Sequence, residues 1–327
     1  MAIYSQQEAI TQMNNKGRAG KPFLFLINYA ADVIHLYEPH EIDNRKLLYD
    51  LNGITNFSGF YQANEQKLSW ETKPVSFAVY ERAFHSVADE IKAGNSYLTN
   101  LTFPTLVRTN ISSEDIFKQA KAPYKLWLKD HFVCFSPEIF VRIKENKIYS
   151  FPMKGTIDAT LPYAENIILA DYKEEAEHAT IVDLIRNDLS RVASEVRVKR
   201  YRYLDKITTN KGELLQVSSE IEGRLTTDWP SRIGDILFGL LPAGSISGAP
   251  KKKTLEIIAN AEIDDRGFYT GIVGYFNGKS LDSAVMIRFI EQQGKVLLFR
   301  SGGGITSRSM AEKEYKELIQ KVYVPIY

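Results

Sequence analysis

Residues 268–290, FYTGIVGYFNGKSLDSAVMIRFI, indicate the fold class of this chain of 327 residues. Residues 268–276 and 281–290 are rich in β-branched and aromatic side chains, which predicts a strand in each. Between them lies Asn277-Gly278, a dipeptide typical of a tight hairpin turn. A third strand is predicted over 295–300. Hairpins join neighbouring strands in opposite directions, so this stretch predicts antiparallel sheet rather than regular βαβ units.

Strands and helices alternate along the rest of the chain. Strands are predicted over 23–29, 33–37, 96–108 and 132–143. Helices are predicted within 1–20, where Ser5 and Glu8 form a possible capping box, and over 76–93, 114–121, 173–192, 231–241, 250–261 and 309–323. Residues 52–67, rich in Gly, Asn and Ser, are predicted to form a loop. With no repeat or flexible linker, the chain is predicted to be one α+β domain over 1–327, with mostly antiparallel sheets and surrounding helices.

Charge and composition narrow the range of partners. The chain has 41 Lys and Arg against 40 Asp and Glu, so its net charge is +1. This balance gives no reason to expect nucleic acid or an anionic membrane surface as the main partner. No apolar stretch approaches the roughly 20 residues of a membrane span, and the N-terminal residues lack a signal-peptide layout. We therefore expect a cytoplasmic protein, with the single Cys134 buried as a small hydrophobe.

Two predicted helices carry paired glutamates. Glu314, Glu317 and Lys321 share one face of the last helix, and Glu174 and Glu177 are three residues apart on the helix over 173–192. Such faces are usually solvated and held by glutamate–lysine pairs. The alternative is that both pairs project into one cavity, where their oxygens would suit Mg²⁺.

Several other residues have both a structural and a functional interpretation. Gly302-Gly303-Gly304 is either a flexible turn or a nest of N–H groups for an anion. Arg288, in an apolar strand, is either an edge residue or an anion partner, and Tyr269 either fills the core or presents its hydroxyl to a ligand. The loop GSISGAPKKK over 244–253 lacks the Walker spacing and is not a phosphate loop.

The order of the motifs along the chain is more specific than any one of them. The motifs are SPE at 136–138, PMKGT at 152–156, EHATIVDLIRNDLSRV at 177–192, GSISGAPKKK at 244–253, RGFYTGIVGY at 266–275 and SGGGIT at 301–306. Together they resemble those of the chorismate-utilising enzymes. This resemblance implies an α+β fold around a central cleft that binds chorismate with Mg²⁺. It divides the chain into a shortened, variable N-terminal part, 1–75, and a motif-bearing core, 76–327.

The resemblance also implies roles for single residues. Glu177 and Glu317 would be the metal ligands, with Glu174 and Glu314 nearby or bridging through water. The substrate-binding set would be Gly155, Thr156, Ser247, Tyr269, Arg288, Gly302, Gly303, Gly304 and Lys321. Ser247 stands where threonine is usual, and Gln216 stands where many relatives have histidine.

Two positions bear on the reaction. Lys154 precedes Gly-Thr, where anthranilate synthases usually have alanine and aminodeoxychorismate synthases have lysine. The implied chemistry is attack by Lys154 on ring carbon C2 of chorismate, with Glu138 as proton donor to the leaving C4 hydroxyl and ammonia adding at C4. Leu98 stands where isochorismate synthases have a lysine that activates water. A separate glutamine amidotransferase would supply the ammonia.

Three alternatives stay open at this point. They are anthranilate synthase component I, which Lys154 argues against, isochorismate synthase, which Leu98 argues against, and a catalytically silent subunit that binds chorismate.

Overall fold

The computed structural model describes residues 3–58, 68–209 and 212–326. The α-helices of these residues are α1 (Gln6–Arg18), α2 (Phe77–Lys92), α3 (Ser113–Gln119), α4 (Ala164–Leu169), α5 (Tyr172–Ser190), α6 (Ile233–Leu240), α7 (Lys251–Ala261) and α8 (Ala311–Gln320). The first half of the chain contributes the strands β1 (Phe23–Ile27), β2 (Ile34–Tyr37), β3 (Leu47–Leu51), β4 (Ile54–Thr55), β5 (Trp70–Pro74), β6 (Leu98–Thr109), β7 (Tyr124–Leu128), β8 (Phe132–Ser136), β9 (Ile139–Lys144), β10 (Lys147–Ser150) and β11 (Met153–Asp158). The second half contributes β12 (Ser194–Thr209), β13 (Gly212–Arg224), β14 (Gly248–Ala249), β15 (Ile272–Phe276), β16 (Leu281–Val285), β17 (Phe289–Gln293) and β18 (Val296–Ile305).

The strands form two sheets in which the paired neighbours run antiparallel. The first sheet has the order β11-β13-β10-β9-β16-β15-β1-β2, with β12 paired to β13. The second has the order β14-β6-β18-β17-β8-β7-β3-β4, with β5 paired to β6. The predicted hairpin joins β15 to β16, with Phe276 opposite Leu281. The predicted α+β class with antiparallel sheets is confirmed.

Each of the seven predicted helices is present near its expected bounds, and α4 was not predicted. The capping box before α1 forms, since Ser5 and Glu8 each bond the backbone N–H of the other. The predicted loop over 52–67 lies partly outside the described residues, which leave out 59–67, and its described part includes β4. No helix in the described ranges is long and apolar enough to span a membrane.

The two sheets pack face to face through an apolar core. Strand β1 illustrates this packing, because all five of its residues are buried and both of its faces are therefore covered. Leu24 and Leu26 point into the core between the sheets, where they join Leu126 and Cys134 of the second sheet. The alternate residues of β1 point to the opposite face of the first sheet, which α1, α5 and α6 cover. Helices α2, α7 and α8 cover part of the second sheet.

Two strand pairs cross from one sheet to the other at the same place. The chain leaves β8 in the second sheet and enters β9 in the first through Pro137 and Glu138. It leaves β16 in the first sheet and enters β17 in the second through residues 286–288, with Arg288 at φ 51°. The crossings bond each other: Val285 N–H donates to Glu138 O and Phe135 N–H donates to Arg288 O, both at 3.1 Å.

The structure corrects the sequence predictions at both crossings and at Tyr269. Residues 132–143 and 281–290 are each two strands rather than one, because the chain changes sheets between β8 and β9 and between β16 and β17. Arg288 therefore lies between strands in the left-handed region, not within a strand. Tyr269 lies in a turn that ends before β15, because Tyr269 N–H and Gly271 N–H close turns on Arg266 and Phe268.

The long hairpin of β12 and β13 was not predicted. Its register is irregular at three places, so its side-chain alternation is broken. Its outward positions carry ion pairs, among them Arg197 with Glu222 and Arg200 with Glu220. A strand of charged residues at broken period gives little signal in a hydrophobic pattern.

Arg266 ties several segments together beneath the crossings. Its guanidinium donates to both oxygens of Glu262 at 2.9 and 2.6 Å, and to the carbonyl oxygens of Ile246 and Asn100 at 2.8 Å each. It also lies over the ring of Tyr29, 4.5 Å from the centroid. Both side chains of the ion pair are almost completely buried, at 1% and 5% exposure.

We predict that Arg266→Met destabilises the fold strongly. Removing one partner of a buried ion pair leaves an uncompensated charge, which costs about 3–5 kcal/mol. The free energy of unfolding in urea measures this loss. Arg45→Met is the matched control, because Arg45 forms an ion pair on the surface and little change is expected there. Equal effects of the two substitutions would contradict the structural role of Arg266.

Candidate active site

A cavity of about 580 Å³ opens beside the two crossings. Its lining includes every residue predicted for the site: Glu138, Lys154, Gly155, Thr156, Glu174, Glu177, Ser247, Tyr269, Arg288, Gly302, Gly303, Gly304, Glu314, Glu317 and Lys321. Leu98 and Gln216 also line it. The structure thus brings together residues from six separate motifs. Their individual roles stay predictions.

Lys154 reaches into the cavity from β11. The strand bulges between Lys154 and Thr156, where Gly155 has φ +76°, a conformation that glycine adopts without strain. Lys154 Nζ lies 3.0 Å from Glu177 Oε2 on α5, and the two side chains are 26% and 14% exposed. A Cβ placed on Gly304 would lie 3.8 Å from Nζ. The amine therefore lies between α5 and β18, where it can contact a bound molecule.

Glu138 contributes a carboxyl group from the first crossing. Ser245 Oγ donates a hydrogen bond to Glu138 Oε1 at 2.5 Å. Burial raises the pKa of Glu138, while the Ser245 hydroxyl and the cations Lys154 and Lys321 act in the opposite direction. A carboxyl group with a raised pKa retains its proton at higher pH than usual, as a proton donor must.

Two acids of α8 and the lysine that follows it line the cavity beside Gly303. A Cβ on Gly303 would lie 3.6 Å from Glu314 Oε2, 3.8 Å from Glu317 Oε1 and 3.9 Å from Lys321 Nζ. Lys321 Nζ pairs with Glu317 Oε1 at 2.7 Å and donates to Gly302 O at 2.8 Å. The predicted shared face of these residues is confirmed.

The donor set suits Mg²⁺ without forming a ready cage. Four glutamates from α5 and α8 line one cavity, and carboxylate oxygen is the ligand that Mg²⁺ prefers. In the described part of the chain, no three acidic, histidine or cysteine side chains are grouped as a metal site. Two of the four, Glu177 and Glu317, are paired with lysines. The residues fit the ion chemically, and metal binding would have to rearrange these pairs.

The three glycines continue β18 instead of forming a turn. Gly302, Gly303 and Gly304 pair with Thr102, Leu101 and Asn100 of β6. A Cβ on Gly302 would lie only 2.5 Å from Leu101 O, so the close approach of the two strands requires glycine there. Extended backbone points successive N–H groups to opposite sides, so the predicted nest is wrong.

Tyr269, Arg288 and Ser247 lie on the cavity floor. Burial raises the pKa of Tyr269 to about 12, so its hydroxyl stays protonated and can donate a hydrogen bond. Arg288 Nη1 donates to Lys321 O at 3.1 Å, and its guanidinium lies 4.8 Å from the ring centroid of Tyr323. Ser247 Oγ donates to Ala243 O at 2.8 Å, within its own loop.

Asn100 and Ser245 are among the polar residues of the cavity that sequence reasoning missed. Asn100 is two positions beyond Leu98, so both point to one side of β6, and this spacing was the available signal. Asn100 Oδ1 is buried and has no hydrogen-bond partner among the residues that the structure describes. Ser245 lies in the GSISGAPKKK loop, but nothing in the sequence shows that its hydroxyl reaches Glu138.

His178, beside Glu177, is buried rather than on the helix surface. Its Nε2 lies 2.7 Å from Ser219 Oγ. Because Ser219 Oγ accepts the N–H of Arg202, its own proton is available for Nε2. Burial lowers the pKa of His178 to about 4, with Arg202 and Lys154 contributing, so the ring is neutral behind the site.

Comparison with known proteins places the chain in a family. The family model of chorismate binding enzymes matches residues 24–326. The chain belongs to the chorismate-binding enzymes. Over 326 residues, this chorismate-binding enzyme is 51% identical to an uncharacterized PabA-like protein of Haemophilus influenzae, and the match covers 100% of this chain and 99% of the relative.

More distant relatives carry named activities. The aminodeoxychorismate synthase component 1 of Bacillus subtilis is 28% identical over 326 residues, covering 89% of this chain and 68% of the relative. Among solved structures, the menaquinone-specific isochorismate synthase MenF of Escherichia coli has a TM-score of 0.75 at 15% identity, covering 98% of this chorismate-binding enzyme and 82% of MenF. That likeness shows the shared fold.

Adjacent glycines provide a test of the β18 geometry. We predict that Gly302→Ala destabilises the protein by about 1–3 kcal/mol, the usual cost of overpacking, because its methyl group would meet the Leu101 carbonyl oxygen. Gly303→Ala is the matched control, since its methyl group has ordinary contact distances and a change within about 0.5 kcal/mol is expected. Urea unfolding of both variants measures the difference. Equal stability of the two would mean that β18 is not held against β6 in this way.

Proposed function

We propose that this chorismate-binding enzyme is an aminodeoxychorismate synthase component I, which converts chorismate and ammonia to 4-amino-4-deoxychorismate. The observation that carries the proposal is the position of Lys154, which reaches into the cavity between Glu177 and Gly304 with the acid Glu138 in the same lining. The similarity to the Bacillus subtilis enzyme supports it.

The proposed reaction has two displacements. In the first, the neutral amine of Lys154 forms a bond to ring carbon C2, both double bonds of the ring diene shift by one position and the C4–oxygen bond breaks. Glu138 gives its proton to the departing oxygen, so water leaves. In the second, ammonia forms a bond to C4, both double bonds shift back and the bond between C2 and the lysine nitrogen breaks. The overall change is the exchange of a hydroxyl group for an amino group.

Lys154 has to lose its proton and its partner before it can attack. In the structure its ammonium group is paired with Glu177. Binding of substrate and metal would redirect Glu177, leaving the amine facing the ring. Leu98 beside Gly304 offers no base for a water molecule, which argues against addition of water at C2.

The remaining residues would hold the substrate and the ion. Glu177 and Glu317 would bind Mg²⁺, with Glu174 and Glu314 nearby, and the ion would neutralise the ring carboxylate of chorismate. Tyr269 and Arg288 would contact the enolpyruvyl carboxylate together with the backbone of 302–304. Gly155, Thr156 and Ser247 would border the ring, and Lys321 would balance charge.

The proposal also includes a source of ammonia and a cellular role. A separate glutamine amidotransferase would supply ammonia. Free ammonia in solution is almost entirely protonated to ammonium at neutral pH, and ammonium cannot add to carbon. The product would serve 4-aminobenzoate and folate synthesis in the cytoplasm.

Product analysis tests the proposal directly. The purified chain is incubated with chorismate, Mg²⁺ and excess ammonium at mildly alkaline pH, and products are identified by chromatography and mass. Aminodeoxychorismate is the expected product. Anthranilate or isochorismate would overturn the assignment of Lys154 or Leu98. If there is no turnover even with an added glutaminase partner, the chain is a non-catalytic subunit.

We predict that Lys154→Ala lowers the amination rate by at least about a hundredfold, because it removes the nucleophile. Lys253→Ala is the control, since Lys253 is exposed and pairs only with Glu256 among its described contacts. Wild-type enzyme is incubated with chorismate in the absence of ammonia, and the reaction is then quenched. Mass spectrometry should show an adduct on the peptide that contains Lys154. Full activity of Lys154→Ala would exclude the covalent step.

We predict that Glu317→Gln raises the half-saturating Mg²⁺ concentration by at least about tenfold, a loss that even substitutions next to metal ligands produce. Calorimetric titration with Mg²⁺ provides a measurement independent of activity. Glu312→Gln, an exposed acid in the first turn of α8, is the matched control. Identical Mg²⁺ affinity in the two variants would remove Glu317 from the metal site.

A further inference from the structure

Ser245 is placed to control the acid of the cavity. Its Oγ donates to Glu138 Oε1 at 2.5 Å, and both residues line the cavity. We propose that Ser245 is a positioning residue that fixes the orientation and proton of Glu138 for departure of the substrate hydroxyl. This inference rests on the proposed function, in which Glu138 is the proton donor.

The backbone around Ser245 is anchored on both sides. The residue lies in a single 3₁₀ turn, Gly244–Ile246, between α6 and β14. Ile246 O accepts a hydrogen bond from the buried Arg266. After the turn, Lys251 Nζ binds both carboxylate oxygens of Asp188 on α5, at 2.8 and 2.9 Å. The hydroxyl of Ser245 is therefore held at a fixed point relative to α5.

The two serines of this loop have different partners. Ser247 Oγ donates to the backbone oxygen of Ala243, so its hydroxyl stabilises the turn. Ser245 Oγ instead donates to Glu138, a side chain 107 positions away in sequence that lines the same cavity. A hydroxyl that only stabilised the loop would have no need of this partner.

The bond decides which oxygen of Glu138 carries the proton. A carboxylic acid holds its proton on one oxygen and accepts hydrogen bonds best at the other. Because Ser245 occupies Oε1, the acidic proton is on Oε2. The same bond limits rotation of the carboxyl group, so one orientation is presented to the cavity.

The bond also adjusts proton affinity. Burial raises the pKa of Glu138, and the Ser245 hydroxyl, Lys154 and Lys321 each counter that rise. The two lysines act at reduced strength because Lys154 is paired with Glu177 and Lys321 is paired with Glu317. Arg288 adds a further cation to the same lining. Without Ser245, the acid would hold its proton more tightly.

Kinetics of Ser245→Ala and Ser245→Thr test the proposal in the full chain with chorismate, Mg²⁺ and ammonium. In Ser245→Ala we expect kcat to fall about tenfold, the equivalent of one hydrogen bond to an ionisable group, with KM changed less than about twofold. The limb of the pH–rate profile that reports loss of the acid's proton should move to higher pH. Ser245→Thr keeps the hydroxyl and should restore most of kcat and the original profile.

A double-mutant cycle with Glu138→Gln separates positioning from general damage. If Ser245 acts through Glu138, Ser245→Ala changes the residual rate of Glu138→Gln less than about twofold. An equal loss in both backgrounds, or an unmoved pH profile, overturns the proposal. Each alternative product also requires the C4 hydroxyl to leave, so the same cycle applies if wild-type enzyme forms anthranilate or isochorismate and the proposed function fails.

A measurement without turnover completes the test. Carboxyl ¹³C NMR of protein labelled at glutamate follows the protonation of Glu138, identified by the signal that Glu138→Gln removes. A higher titration midpoint in Ser245→Ala supports the proposal, and an unchanged midpoint overturns it, whether or not the enzyme turns over.

Discussion

The architecture depends on one constraint: two chain segments change sheets side by side and bond each other where they cross. The bonds of Val285 with Glu138 and of Phe135 with Arg288 keep the sheets in register at that point. The acid and the arginine of the cavity therefore come from backbone that is hydrogen-bonded across the two crossings. Their positions follow from the packing of the sheets rather than from a flexible loop.

The cavity is surrounded by buried charge that is locally compensated. Arg266 supports the floor by bonding the carbonyls of Asn100 and Ile246, and Glu262 balances its charge. Lys251 and Asp188 connect the GSISGAPKKK loop to α5 in the same way. Each pair is costly to bury. Lys251 and Asp188 are distant in sequence, whereas Arg266 and Glu262 are four positions apart and reach a distant segment through their bonds to Asn100 and Thr102. These pairs make the relative placement of the motifs specific.

Much of this arrangement could be predicted from the sequence, and the failures have physical causes. The capping box at Ser5, the hairpin at Asn277 and the shared face of Glu314 and Glu317 depend on local patterns, and each is present. The positions of Arg288 and Gly302 depend on which sheet a strand joins and how closely its neighbour approaches. Those are tertiary facts without a local period. The motifs were found together in one cavity, while the hydroxyl that reaches Glu138 was not foreseen.

The ion pairs of the cavity have a consequence for the order of events. Any cation that takes Glu177 or Glu317 must displace the ammonium group of Lys154 or Lys321. Once displaced, those ammonium groups attract an anion. A dication and a dicarboxylate thus lower the electrostatic cost of each other's entry, and by thermodynamic linkage the assistance is mutual. Under the proposed function, the two would therefore enter as a neutral salt, and their cooperativity would come from the two lysines that occupy the cation's ligands beforehand.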